Sequence, residues 1–197
     1  MKITWELPEL RSGFYGVLDK FIGPRATSAE KKLQLYIPLL AGIVVILKSY
    51  SSQFNWSVGQ QVVAFLITFD IAGGIITNST SSAKRWFHRE GQGFKSHMSF
   101  VLLHFSQIFL INIFFMDFDF IWIAAAGCYL VLACALVLCT PLYLQRTMAL
   151  MLYSVGVLLS LYVFSAPVHL EWFLPLLYLK LLVSHIVREE PYRPENE

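Results

Sequence analysis

Away from the ends of the long hydrophobic stretches stand three ionisable side chains: Asp70, His104 and Lys180. Asp or Lys at the centre of a bilayer costs roughly 2.5–3.5 kcal/mol on insertion scales, so such groups face the bundle interior and often mark function. Asp70 lies eight residues before the end of its stretch, His104 seven after the start of its own, and Lys180 seven before the end of a third. At ~1.5 Å per residue these offsets are roughly 10–12 Å, which puts all three in one layer. A hydrogen bond from Asp70 to His104 would lower the cost of both, and Lys180 would add a counter-charge. Alternatively, Lys180 snorkels its ammonium to the interface. An imidazole that titrates near neutrality suits general acid–base work, so Asp70, His104 and Lys180 are the candidate catalytic set.

The loop from Asn78 to Ser96 holds the densest polar chemistry. Asn78, Lys84, Arg85, Trp86, His88 and Arg89 combine donors, cations and an indole, a mixture that suits a lipid phosphate at headgroup level. Topology alone also makes such loops basic. Gln107, one turn beyond His104, joins them as a candidate substrate-binding residue. Asp70, His97, His104 and His185, with His88 nearby, are the candidate metal ligands, because imidazole and carboxylate suit zinc or iron. They form no tight ligand motif. Cys128, Cys134 and Cys139 share one apolar stretch and read as small buried hydrophobes.

In residue types these candidates resemble membrane hydrolases of the alkaline ceramidase and adiponectin-receptor type. That resemblance implies a zinc ion held by intramembrane His, Asp and Ser. It covers no continuous motif. Those proteins have seven spans with a paired-His motif on the last, whereas here the last stretch offers only His185, so membership does not follow.

The elements that must position these residues are hydrophobic. The chain has 197 residues, 56% hydrophobic and 14% charged, against roughly 45–50% and 25% for an ordinary soluble domain. This excludes disorder and a water-soluble enzyme domain, and a net charge of +2 is too small to suggest nucleic acid. Six stretches reach the ~20 apolar residues that a membrane helix needs: 33–50, 58–78, 97–116, 120–144, 147–166 and 170–187. Thr27 and Glu30 form a capping box that starts the first near Ser28. Ahead of it Leu7, Leu10, Phe14, Val17, Leu18, Phe21 and Ile22 recur at helical spacing, which predicts an amphipathic helix lying in the interface or capping the bundle.

Lys and Arg cluster before the first stretch, between the second and third, between the fourth and fifth, and after the sixth. The other three connections contain neither, so both termini are expected in the cytoplasm. The expected architecture is an all-α, polytopic bundle of six transmembrane helices in the cell membrane. Residues 1–30 form the interfacial segment, 31–187 the bundle and 188–197 a flexible tail. Gly73 and Gly74, on the Asp70 face, predict a close contact with the third span.

Three functions fit this reading. One is an enzyme acting on a lipid or lipophilic substrate at the inner leaflet, and another is a small proton-coupled transporter. The third is a non-catalytic accessory protein whose polar groups only fix helix packing. The expected partners are membrane lipids and, since six spans are few for an inverted-repeat carrier, a second copy of the chain.

Overall fold

The computed structural model describes residues 1–194, and their regular secondary structure is helical apart from one short two-stranded ribbon. The helices are α1 (Gly13–Ile22), α2 (Ser28–Ser51), α3 (Val58–Ser79), α4 (Ser81–Phe87), α5 (Phe94–Leu103), α6 (Phe105–Phe115), α7 (Phe120–Cys139), α8 (Leu142–Tyr162) and α9 (Phe173–Tyr178). The chain of α9 runs on through wider, π-type turns over Leu179–His185. Five helices are long and apolar enough to cross a membrane: α2, α3, the α5–α6 pair, α7 and α8. The sixth expected span is the shorter apolar helix Phe173–His185.

Local chemistry sets most boundaries. Thr27 and Glu30 close a capping box, with Glu30 N donating to Thr27 Oγ1 at 3.1 Å and Thr27 N to Glu30 Oε2 at 2.7 Å. This satisfies two otherwise orphaned groups and starts α2 at Ser28. Ser57 and Gln60 do the same for α3. Asp119 Oδ1 caps α7 by accepting from Trp122 N at 3.0 Å. The fourth stretch ends earlier than expected. Pro141 has no N–H and favours an extended predecessor, so α7 stops at Cys139 and α8 starts at Leu142.

The shortest apolar helix is the most enclosed. Leu177, Tyr178, Leu181 and Leu182 are fully buried, surrounded by α3, α7 and α8. At ~1.5 Å per residue Phe173–His185 spans only about 20 Å, short of a hydrocarbon core of about 30 Å. Its π-type turns carry Ile186 N back to Leu181 O at 3.2 Å. π-type insertions occur frequently at functional sites.

The third stretch is not one continuous helix. At His104 the backbone tightens, and its N–H bonds Val101 O at 3.0 Å in place of Phe100 O. The N-terminal helix is shorter than its apolar pattern, because Leu7, Pro8 and Leu10 lie in irregular chain before α1. Arg11 pairs with Asp19 at 2.6 Å across the start of α1, and this ion pair holds the carboxyl of Asp19 below its ordinary range. Phe14, Val17 and Phe21 face outward.

Lys2–Ile3 pairs antiparallel with Tyr192–Arg193, which brings the two chain ends to one end of the bundle. The expected flexible tail is therefore partly tied down, since Arg188 stacks on Trp5 and Tyr192–Arg193 form a strand. Residues 195–197 of that tail lie outside the described residues.

Candidate functional site

Asp70, His104 and Lys180 line one cleft of about 390 Å³ between α1, α2, α3, α4, α5 and the last helix. Phe21, Phe69, Phe87 and Phe100 supply its apolar wall, and Gln34, Asp70, Thr77, Asn78, His104 and Lys180 its polar side. Lys180 leaves the π-type segment and crosses the face of α3. Its Nζ reaches Asp70 Oδ2 at 2.5 Å and the Asp70 carbonyl at 3.2 Å. Lys180 is therefore an ion-pair partner and does not snorkel. Gly74 permits this, because a β-carbon there would overlap the Lys180 side chain.

The geometry corrects two expectations. Asp70 and His104 share the cleft, but their hydrogen bonds go elsewhere. Gln107 Nε2 donates to Asp70 Oδ2, while His104 Nδ1 donates to Phe100 O at 2.7 Å. The break in the third stretch explains the second bond: the Phe100 carbonyl loses its helical partner and takes the imidazole N–H instead. His104 Nε2 is left as the lone-pair nitrogen. The glycines are also placed differently. Gly73 meets Pro38 on α2 and Gly74 meets Lys180, so neither marks a close contact with the third span.

Behind His104 lies a buried histidine cluster. Phe100 packs between the rings of His104, at 4.6 Å, and His185, at 4.0 Å. His97 Nδ1 and His185 Nε2 are 3.2 Å apart, and His185 Nδ1 lies 3.4 Å from Asn78 Oδ1. His88 completes the group with its ring 4.7 Å from that of His97, while its Nε2–H donates to the His185 carbonyl at 2.9 Å. Burial, then the neighbouring His97 and Lys84, hold His88 down to about 3, so it is neutral at ordinary pH. One arrangement of protons fits every bond: His185 donates to Asn78 and accepts from His97.

Of the expected metal set, His97 and His185 meet, but Asp70 is committed to Lys180 and Gln107, and His104 lies beyond Phe100. Among the described residues no group of three or more His, Cys, Asp or Glu side chains is arranged to hold a metal ion. Asp70, His97, His104 and His185 do not form one ligand set.

The expected headgroup residues divide by depth. Lys84, Arg85 and His88 turn inward. Lys84 Nζ donates to the Ser184 and Val187 carbonyls. With His88 on His185 O, α4 thus caps the end of the last helix, where carbonyls lack helical partners. Burial lowers Lys84 to about 8, against the opposing pull of Glu189. Arg85 is buried with Nε and Nη1 unpartnered, and burial lowers it too. Trp86 and Arg89 remain half-buried, with the guanidinium stacked on the indole at 3.7 Å.

Sequence reasoning missed the aromatic lining and a polar pair in the same cleft, in which Thr77 Oγ1 donates to Gln34 Oε1 at 3.0 Å. Gln34 lies near the start of a span, where a polar residue attracts little notice. The chain matches no protein-family model, and no curated protein or solved structure is significantly similar to it.

Proposed function

We propose that this is a six-pass membrane protein, with both termini in the cytoplasm, that binds and acts on a lipid or lipophilic substrate in the Asp70 cleft. The observation that carries this reading is the cleft's mixed lining: four phenylalanines share it with the Asp70–Lys180 pair, His104, Asn78, Thr77 and Gln34. A ligand with an apolar body and a polar head matches such a surface. Positive charge supports the orientation, since the loops at the end away from the termini, 52–57, 116–119 and 163–172, contain no Lys or Arg. Phe14, Val17 and Phe21 would then sit at the inner interface beside the mouth of the cleft.

In this reading His104 Nε2 takes a proton from the bound substrate while Phe100 O fixes its tautomer. Gln107 and Lys180 hold the carboxylate of Asp70 in place. The test is mass spectrometry of amphiphiles retained by the purified chain in nanodiscs. An amphiphile retained by wild type and depleted in both Phe100→Ala and Asp70→Asn supports the reading. Identical lipid content in all three overturns it.

The buried imidazoles favour proton-coupled transport as the second reading, because chained histidines serve as proton relays in carriers. Its test is pH-driven flux in proteoliposomes, abolished by Asp70→Asn. If these variants change stability alone, the accessory role stands.

A further inference from the structure

A second cleft, of about 500 Å³, opens at the end of the bundle that carries the chain termini. It is lined by Trp5, His88, Arg89, Glu90, Gln92 and Arg188. None of these lines the Asp70 cleft, and of the histidine cluster only His88 reaches this lining. Both guanidiniums here are braced by indoles. Arg188 lies 4.4 Å from the Trp5 ring and Arg89 lies 3.7 Å from that of Trp86.

The braces are themselves fixed. Trp5 Nε1 donates to Glu190 Oε2 at 3.0 Å, and Arg89 Nη1 donates to the Trp86 carbonyl. The backbone N–H of Arg188 is held by Gln145 Oε1 at 3.1 Å. Membrane topology asks only that an arginine stay on one side, and a freely solvated side chain satisfies that. Stacking goes further: it fixes the guanidinium plane and leaves an in-plane edge, for Arg89 the Nε–Nη2 edge, for forked donation to a tetrahedral anion. The lining carries the carboxylate of Glu90, and Glu190 stands behind Trp5 with its Oε2 taken by the indole N–H, so it is the forked edges of two guanidiniums, not a surplus of positive charge, that suit a tetrahedral anion. His88 is spent on His185 O and stays neutral, so it adds no charge.

We propose that this second cleft binds a phosphoryl group, with Arg89 and Arg188 forking its oxygens and the remaining volume taking the group the phosphate is attached to. The same chemistry is offered by the headgroup of an anionic membrane lipid and by a free phosphate monoester. The proposal uses none of the residues assigned to the Asp70 cleft and stands or falls independently of that assignment.

The experiment uses the full chain in detergent and in phosphatidylcholine nanodiscs. Calorimetric titration with glycerol phosphate at constant ionic strength forms one arm. Nanodiscs doped with phosphatidic acid, read by Trp fluorescence and thermal stability, form the other. Each of Arg89→Gln and Arg188→Gln is expected to weaken binding by about tenfold, the size of a lost charge-assisted hydrogen bond. Arg89→Lys and Arg188→Lys keep the charge and guard against misfolding, and they too lose affinity because an ammonium cannot fork. Lys95→Gln, on the exposed start of α5, leaves affinity unchanged. Saturable glycerol phosphate binding assigns a soluble ligand, and a response confined to phosphatidic acid assigns a lipid headgroup. Equal effects of chloride and phosphate at matched ionic strength, or unchanged affinity in the arginine variants, overturn the proposal.

Discussion

Lys180 is buried to 2% exposure, yet the carboxylate it meets 2.5 Å away on Asp70 is 54% exposed to the cleft. The two partners therefore depend on each other unequally. Removing Asp70 strands a cation in the interior, whereas removing Lys180 leaves a carboxylate that keeps the Gln107 amide and an open cleft. Asp70→Leu should destabilise the chain by up to about 3 kcal/mol, the low end for a broken buried pair. Lys180→Met should cost about 1 kcal/mol or less, and the double variant should recover most of the Asp70→Leu loss. Thermal unfolding in detergent checks this ordering. Equal losses in the two single variants would show that Asp70 is as enclosed as Lys180.

Gly74 makes that ion pair sterically possible. Gly74→Ala should push the Lys180 side chain aside and lower stability by about 1–3 kcal/mol, the range for overpacking. The effect should shrink when Lys180 is shortened to Ala, giving a double-mutant coupling of about 0.5–3 kcal/mol between contacting residues. Additive losses would mean that the two do not touch. Gly73→Ala, against Pro38, should show no such coupling to residue 180.

Much of this arrangement was legible in the sequence, and the illegible part has identifiable causes. Apolar length located the long helices, and the Thr27–Glu30 box placed the start of α2 at Ser28. The spacing of Asp70, His104 and Lys180 placed them in one layer, and they line one cleft. Pairing within that layer was not legible, because it depends on helix rotation. The third stretch breaks at His104, whose ring turns to Phe100 O, and Gln107 addresses Asp70 instead. Burial of Lys84 and Arg85 was hidden for a related reason. A basic loop looks the same in sequence whether it lies on lipid headgroups or folds under a helix end, and here Lys84 caps carbonyls of residues a hundred positions away.

Arg85 gives a prediction from an unmet need. It is 3% exposed, and its Nε and Nη1 have no hydrogen-bond partner. An unpaired buried charge is costly, and replacing it by an apolar group of similar length is commonly neutral or stabilising. Arg85→Met should keep or raise the unfolding temperature. A marked fall would show that an anion or ordered water satisfies the guanidinium in solution.

Lys84 should make stability depend on alkaline pH. Burial sets its folded value at about 8, against 10.5 for an ordinary lysine. Between these values the folded chain has released a proton that the unfolded chain still holds. Stability therefore rises with pH across that window. Subtracting the unfolding free energy of Lys84→Met from that of wild type isolates the effect. The difference should grow in favour of wild type from pH 8 to 10.5, and a flat difference would place Lys84 in water.

His88 applies the same logic on the acid side. Its folded value is about 3 and its ordinary value 6.5. As pH falls through that interval the unfolded chain gains a proton that folded His88 refuses, so stability drops. His88→Gln can retain a donor toward the His185 carbonyl but cannot titrate. It should lose less stability than wild type on acidification from pH 6.5. Denaturation curves collected across that range, with the nearby His97 intact in both proteins, provide the comparison. Identical acid sensitivity would mean that water reaches His88 and that the cluster is open toward the Arg89–Arg188 cleft.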